Sequence, residues 1–277
     1  MKFKKRNGLY VPKHYMGCMG IEDAFPLPRS NVTALRKGIS SPSGGGGTTG
    51  GSAGSAPAAG NNVVVVAATK GGLYVDESTI AFNMNGANVT SGNVVFCGVS
   101  QGSEVTYTAG MLTKTAGTST VGTIALDKTY AKTGGPTVGI YRIPVTGTGT
   151  LTLTFNPDSG NYLVMGCVEF SGINASPVST TNGTATGTGS GGSAIETTGS
   201  VSSTDLGVMI YCACEPGSED LTRTAISDVE VFKSNLGASH QTGLVMYKII
   251  NSSPNTLTNT WPENIVWALC YQLYKST

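Results

Sequence analysis

Two histidines, one acidic cluster, six cysteines and a few scattered aromatic rings are the residues of this 277-residue chain whose types could do chemistry. His14 and His240 have no second His or Cys at zinc-ligand spacing beside them. Neither has a nucleophile and an orienting acid nearby in sequence, so a hydrolase triad has no foothold. No G-x-S-x-G elbow occurs, and the glycine-rich run lacks the Gly-Lys-Ser/Thr ending that cradles a phosphate. Glu215, Glu219, Asp220, Asp228 and Glu230 form one acidic cluster. Loop carboxylates suit a hard cation, which makes Glu219, Asp220 and Asp228 weak calcium candidates. The EF-hand spacing is absent, and a solvated loop is the simpler reading. A glycosidase needs two carboxylates facing each other across a cleft, and these acids are too dispersed to nominate a pair. The residues therefore point to a non-enzymatic protein that needs no cofactor.

The cysteines Cys18, Cys97, Cys167, Cys212, Cys214 and Cys270 show no metal-ligand spacing. Five of them lie in apolar, strand-like stretches, where a thiol behaves as a small hydrophobe. Cys18 stands apart and is the one best placed for a disulfide or an intersubunit bridge. Exposed aromatic rings can stack on sugars, and Tyr74, Tyr107, Tyr130 and Trp261 fall near expected loops or strand ends. They are the candidates for a glycan contact, against core or rim packing as the plainer alternative.

Charge is divided unevenly along the chain. Residues 1–40 carry eight of the 17 Lys and Arg against Glu22 and Asp23 alone, which gives +6. The remainder, with nine basic and 14 acidic residues, is −5. Lys2, Lys4, Lys5 and Arg6 form a small cationic cluster that could touch nucleic acid. Apolar residues interleave from Leu9 onward, however, and favour a protein surface. Pro12, Pro26 and Pro28 interrupt residues 1–39, which show no sustained helical or strand period. The segment reads as an extended arm that orders on a partner. Its candidate anchors are Phe3, Lys4, Lys5, Arg6, Leu9, Tyr10, Tyr15, Phe25, Leu27, Arg29, Leu35 and Arg36. A strand or lid folded onto its own body is the alternative.

Residues 40–62 have no charge, no aromatic ring and no apolar side chain larger than Ala. They cannot bury enough surface to offset ordering entropy, so they read as a tether. A coil of that size spans about 25 Å, and about 70 Å when fully stretched. The start of the chain has a positive n-region but no apolar h-region, so it is not a secretory signal. No apolar run reaches the length of a membrane span.

Residues 63–277 read as one body of short strands. Candidate strands are Val63–Ala68, Ser78–Asn83, Val94–Val99, Glu104–Thr108, Thr120–Leu126, Val138–Pro144, Thr150–Phe155 and Tyr162–Phe170. Leu206–Cys214, Glu230–Phe232, Thr242–Ile250 and Asn264–Tyr274 follow. Asn85-Gly86 supplies a tight turn. Residues 174–200 read as a long polar excursion presented outward. The last strand is apolar on both faces, which places it inside a sheet. With about a dozen strands and no convincing helix, the fold class is all-β. The expected arrangement is a two-sheet antiparallel β-sandwich of jelly-roll type.

Several pieces of the body carry a resemblance. They are Thr106-Tyr107-Thr108-Ala109-Gly110-Met111-Leu112, then Gly139-Ile140-Tyr141-Arg142-Ile143-Pro144 with Gly147-Thr148-Gly149-Thr150-Leu151-Thr152-Leu153-Thr154. Glu169-Phe170-Ser171-Gly172-Ile173, Thr204-Asp205-Leu206-Gly207-Val208-Met209-Ile210, and the closing Trp261, Trp267 and Tyr271 complete the set. Together they resemble β-sandwich domains of tailed-phage virion proteins and of some bacterial surface proteins. The arm and tether look like the particle-binding extension of a capsid decoration or head-fibre protein. The resemblance implies a structural component of the virion surface, made in the host cytoplasm and present in many copies or as a homo-oligomer. Its partners would be capsid or collar proteins held through residues 1–39, with a host glycan as a further ligand. Nucleic acid and membrane are not expected partners. A carbohydrate-binding adhesive module of a bacterial surface protein is the alternative, and a glycan-active enzyme the second.

Overall fold

The computed structural model describes residues 60–157, 159, 162–188, 194–201, 205–215, 229–234, 242–251, 255–261 and 266–277, together with two strands at 3–6 and 9–12. Contacts divide the chain into two units, Met1–Ser43 and Gly44–Thr277.

In the first unit, β1 (Phe3–Arg6) and β2 (Leu9–Pro12) pair antiparallel. Residues 1–39 show no sustained strand period in sequence, and this ribbon is only four pairs long. The signal was local: Asn7-Gly8 stands between the two strands, and both residue types accept the positive φ that a two-residue hairpin demands.

The second unit is all-β, a sandwich of antiparallel sheets. Its central sheet has the order β3 (Val64–Val75), β13 (Leu163–Ser171), β6 (Val94–Gln101), β10 (Thr137–Gly147) and β8 (Thr120–Val121), with β9 (Ala125–Ala131) also on β10. Every residue of β6 is buried, as is all of β13 except Ser171. A sheet covered on both faces explains why these strands read as unbroken apolar runs.

Alternate residues of the central strands serve two different cores. Phe96, Ile140, Val168 and Phe170 meet Val208, Ile210, Cys212, Val245 and Ala268. The latter belong to a five-stranded sheet of order β14 (Ile173–Thr188), β20 (Val266–Ser276), β16 (Gly207–Glu215), β18 (Thr242–Ile250) and β17 (Val229–Lys233). Val95, Cys97, Val99, Tyr141 and Met165 point the other way and meet Ile80, Leu112, Leu153 and Phe155. Those lie on a small sheet of β4 (Ile80–Phe82), β12 (Thr152–Phe155) and β7 (Leu112–Ala116). The sandwich thus carries a third, smaller layer. Two further ribbons pair β5 (Asn88–Val89) with β11 (Gly149–Thr150), and β15 (Ala194–Val201) with β19 (Asn255–Trp261).

The final strand lies inside its sheet, between β14 and β16, as its two apolar faces require. Ala268, Cys270 and Tyr274 enter the core between the large sheets. Trp267, Leu269 and Leu273 join Met209, Tyr211, Leu244 and Met246 in a buried cluster on the sheet's other face. Asn85 and Gly86 adopt φ values of 56° and 70°, as the turn there needs.

Two expectations fail for identifiable reasons. Glu104–Thr108 is not a strand: it leads into a 3₁₀ turn at Ala109–Met111. The Val105 N–H donates to the Thr137 hydroxyl (2.9 Å), and that hydroxyl donates to the Ser103 carbonyl (3.0 Å), so side-chain bonds replace a ladder. Residues 174–188 and 194–200, expected in a polar excursion, belong instead to β14 and β15. At a sheet edge, Thr and Ser satisfy a strand whose outer side needs no apolar residue.

Candidate functional site

The arm is the first candidate. Its hairpin register pairs Phe3 with Pro12, Lys4 with Val11, Lys5 with Tyr10 and Arg6 with Leu9. Three cationic positions are therefore set beside apolar or aromatic ones across a ladder of four pairs. A two-stranded ribbon is marginally stable alone in water and gains from a surface that adds apolar contact or further strands. Tyr15, Phe25, Leu27, Arg29, Leu35 and Arg36 lie outside the described residues, as do Cys18 and most of the expected tether.

The proposed sugar-stacking rings divide sharply. Tyr107 is 4% exposed and belongs to the core under the small sheet. Its ring stands edge-on to Phe155 at 5.0 Å and its hydroxyl donates to the Thr137 carbonyl at 3.4 Å. Its expected place as an exposed glycan platform is thereby corrected: the break after Glu104 turns the ring inward. Tyr130 is half-buried against the core between the large sheets. Tyr74 is half-buried on β3, with its hydroxyl enclosed and unpartnered. Burial pushes that hydroxyl's pKa up to about 12, helped by the charges of Asp76 and Tyr162. Trp261 ends β19 opposite Ala194, and its side chain lies outside the described residues. So do Glu219, Asp220 and Asp228. Among the described residues no group of three His, Cys, Asp or Glu side chains could hold a metal ion.

The buried ionisable groups of the body are engaged internally. Asp127 and Arg142 form a bidentate pair, with Nε donating to Oδ2 at 2.7 Å and Nη2 donating to Oδ1 at 3.2 Å. Asp127 reaches its partner because the β9–β10 register shifts between Ile140 and Tyr141. The Tyr274 hydroxyl faces this carboxylate without completing a hydrogen bond, and burial followed by the Asp127 charge holds its proton on well above the usual range. The five strand cysteines are all buried and none is in a disulfide. Burial raises the Cys97 and Cys270 thiols well above their usual range and Cys212 to about 12.

Glu169 is the fully buried carboxylate that sequence reasoning passed over. Its Oε1 accepts from the Thr90 N–H (2.8 Å) and from Asn93 Nδ2 (2.6 Å), clamping the turn that precedes β6. Its Oε2 has no partner. The signal was a single Glu in an otherwise apolar strand, which demands a polar partner inside the fold. Glu169→Gln keeps the accepting oxygen and should stay within about 1 kcal/mol of the parent. Glu169→Ala removes both turn contacts and should cost about 2 kcal/mol in urea unfolding. Equal stability of the two variants would show that the clamp contributes nothing.

These groups tie turns and sheets together, and the Ser179 hydroxyl likewise donates to Asp205 Oδ2 at 2.6 Å. No protein-family model matches the sequence, and neither a curated protein nor a solved structure proves similar to it.

Proposed function

We propose that this chain is a non-enzymatic structural protein of a phage particle, anchored by its N-terminal arm and displaying the β-sandwich on the virion surface. The observation that carries the reading is the separation of Met1–Ser43, with its cationic hairpin, from the all-β body as a unit of its own. A Gly/Ser-rich stretch without charge joins the two in sequence. The arm's +6 attracts an acidic capsid or collar surface, and its interleaved apolar residues supply the short-range contact. The body presents strand edges and turns, while its buried acids are spent on internal bonds. Many copies on one shell would turn weak individual contacts into firm display by avidity.

Deleting residues 1–39 tests this. The shortened protein should keep the circular dichroism and melting midpoint of the parent body. Its incorporation into particles should fall by at least about tenfold, the share of binding that avidity typically multiplies. Undiminished incorporation of the folded deletion would reject the anchoring role.

A further inference from the structure

Two of the strand cysteines stand directly opposite one another in the central sheet. The β13–β6 register pairs Cys167 with Cys97. Directly opposed residues of an antiparallel pair project to the same face, with Cα atoms about 4.5 or 5.5 Å apart. Both spacings fall inside the roughly 4.4–6.8 Å window of protein disulfides. Both side chains belong to the core under the small β4–β12–β7 sheet.

We propose that Cys97 and Cys167 are a covalent modification site: a cross-strand disulfide that closes when the chain folds in a thiol-oxidising environment. The co-reactant is a small disulfide such as oxidised glutathione. The thiolate of one cysteine attacks it and releases one glutathione thiolate, leaving a mixed disulfide on the protein. The second cysteine's thiolate then attacks the protein sulfur and expels the other glutathione. Two protein thiols are oxidised, and one glutathione disulfide is reduced to two thiols. Both cysteines are fully buried in the finished fold. The exchange therefore belongs to the stage before the small sheet covers this face, and a finished bridge is shielded from reductants.

A second opposed pair, Cys212 and Cys270 on β16 and β20, gives an internal comparison. There the Cys212 thiol is turned across the sheet gap and donates to the Val99 carbonyl at 3.3 Å. Closing that bridge requires giving up this contact, which is shorter than the 4.0 Å one from the Cys97 thiol to the Gly98 carbonyl, so the Cys97–Cys167 pair should close more readily.

The test uses the full chain produced in two bacterial hosts, one with a reducing cytoplasm and one whose thiol-reducing pathways are disabled. Each product is denatured without reductant, alkylated, weighed and digested. From the reducing host all six thiols should be alkylated. From the oxidising host two fewer should react, with a linked peptide pair containing Cys97 and Cys167. Its melting midpoint should be about 5–15 °C higher, as expected for a bridge closing a loop of about 70 residues. That linkage, with or without a second at Cys212–Cys270, supports the proposal. Fully alkylated protein from both hosts, or linkages that leave out Cys97–Cys167, overturns it. If the oxidising host yields only insoluble chain, the reduced protein is refolded with oxidised glutathione and digested in the same way. The presence or absence of the linked Cys97–Cys167 peptides then supports or overturns the proposal as before.

Discussion

Replacing Gly98 with Ala should destabilise the body by about 2–3 kcal/mol, and most of that loss should vanish when Val245 is also Ala. Gly72, Gly166 and Gly98 lie side by side across β3, β13 and β6. They form a glycine row in the middle of the central sheet, on the face turned to the five-stranded sheet. A Cβ on Gly98 would sit 2.7 Å from Val245 Cγ1 and 2.8 Å from its Cγ2, and one on Gly166 would sit 2.8 Å from Val245 Cβ. Gly98 and Gly166 form the slot into which Val245 fits, and it lets the sheets approach more closely there than side chains on both would permit. The three nearest obstacles at Gly98 all belong to the Val245 side chain, so shortening Val245 reopens the space. At Gly72 the obstacles include the Met165 backbone carbonyl as well as the Phe232 side chain. Gly72→Ala should therefore cost about 3 kcal/mol whether or not Val245 is shortened, because backbone cannot be trimmed away. Urea unfolding of the four Gly98/Val245 combinations and the two Gly72 ones measures this. A Gly98 penalty unchanged by Val245→Ala would show that the slot does not set the sheet spacing.

Ending the chain before Val266 should abolish folding of the body altogether. The last strand sits between β14 and β16, so its loss exposes two unpaired strand edges at once. It also removes Trp267, Leu269, Cys270, Leu273 and Tyr274, all fully buried and shared between two cores. Trp267→Ala alone should cost about 3–5 kcal/mol, and the whole strand several times more than a domain's net stability. The truncated chain should be found in the insoluble fraction, with no cooperative urea transition after refolding. Removing only Ser276 and Thr277 should leave a folded protein, weakened by about 1–2 kcal/mol. That smaller deletion loses the bonds from Ser276 N–H to the Leu206 carbonyl and from Thr277 N–H to the Gly172 carbonyl. A soluble, cooperatively folding chain without β20 would contradict the placement of that strand.

Features governed by a local rule were legible in the sequence. The two-faced apolarity of β20, the Asn85-Gly86 turn and the position of five cysteines in strands all follow from a few adjacent residues. The docking of a small third sheet did not announce itself, since a strand buried between two layers has the same composition whichever layers they are. Residues 174–200 misled because Ser, Thr and Gly suit both a loop and an edge strand, and only pairing with β20 decides between them. Tyr107 misled for a related reason. An aromatic ring beside turn residues can face either way, and the Thr137 carbonyl, 30 residues further along, accepts from its hydroxyl and settles its direction. The hairpin of the arm spans only four pairs, too few to stand out as a sustained period in sequence. Glu169 was visible as an anomaly, though its partners Thr90 and Asn93 are distant in sequence and only the fold brings them to it.

Asn61 Nδ2 donates to the carbonyls of Gly207 and Ile250, each at 3.1 Å, and Asn62 Nδ2 donates to the Thr277 carbonyl at 2.7 Å. Entry and exit of the body are thus stapled to a single pole. A cargo peptide grafted after Thr277 would emerge beside Asn62, where the chain enters the body. The turns at 76–79 and 132–136 follow the opposite ends of β3 and β9, and insertions at those far-pole sites would hold a passenger clear of both Asn62 and Thr277. Joining Thr277 to Asn62 through a short linker and opening the chain at either turn should yield a folded circular permutant whose new termini lie at the far pole.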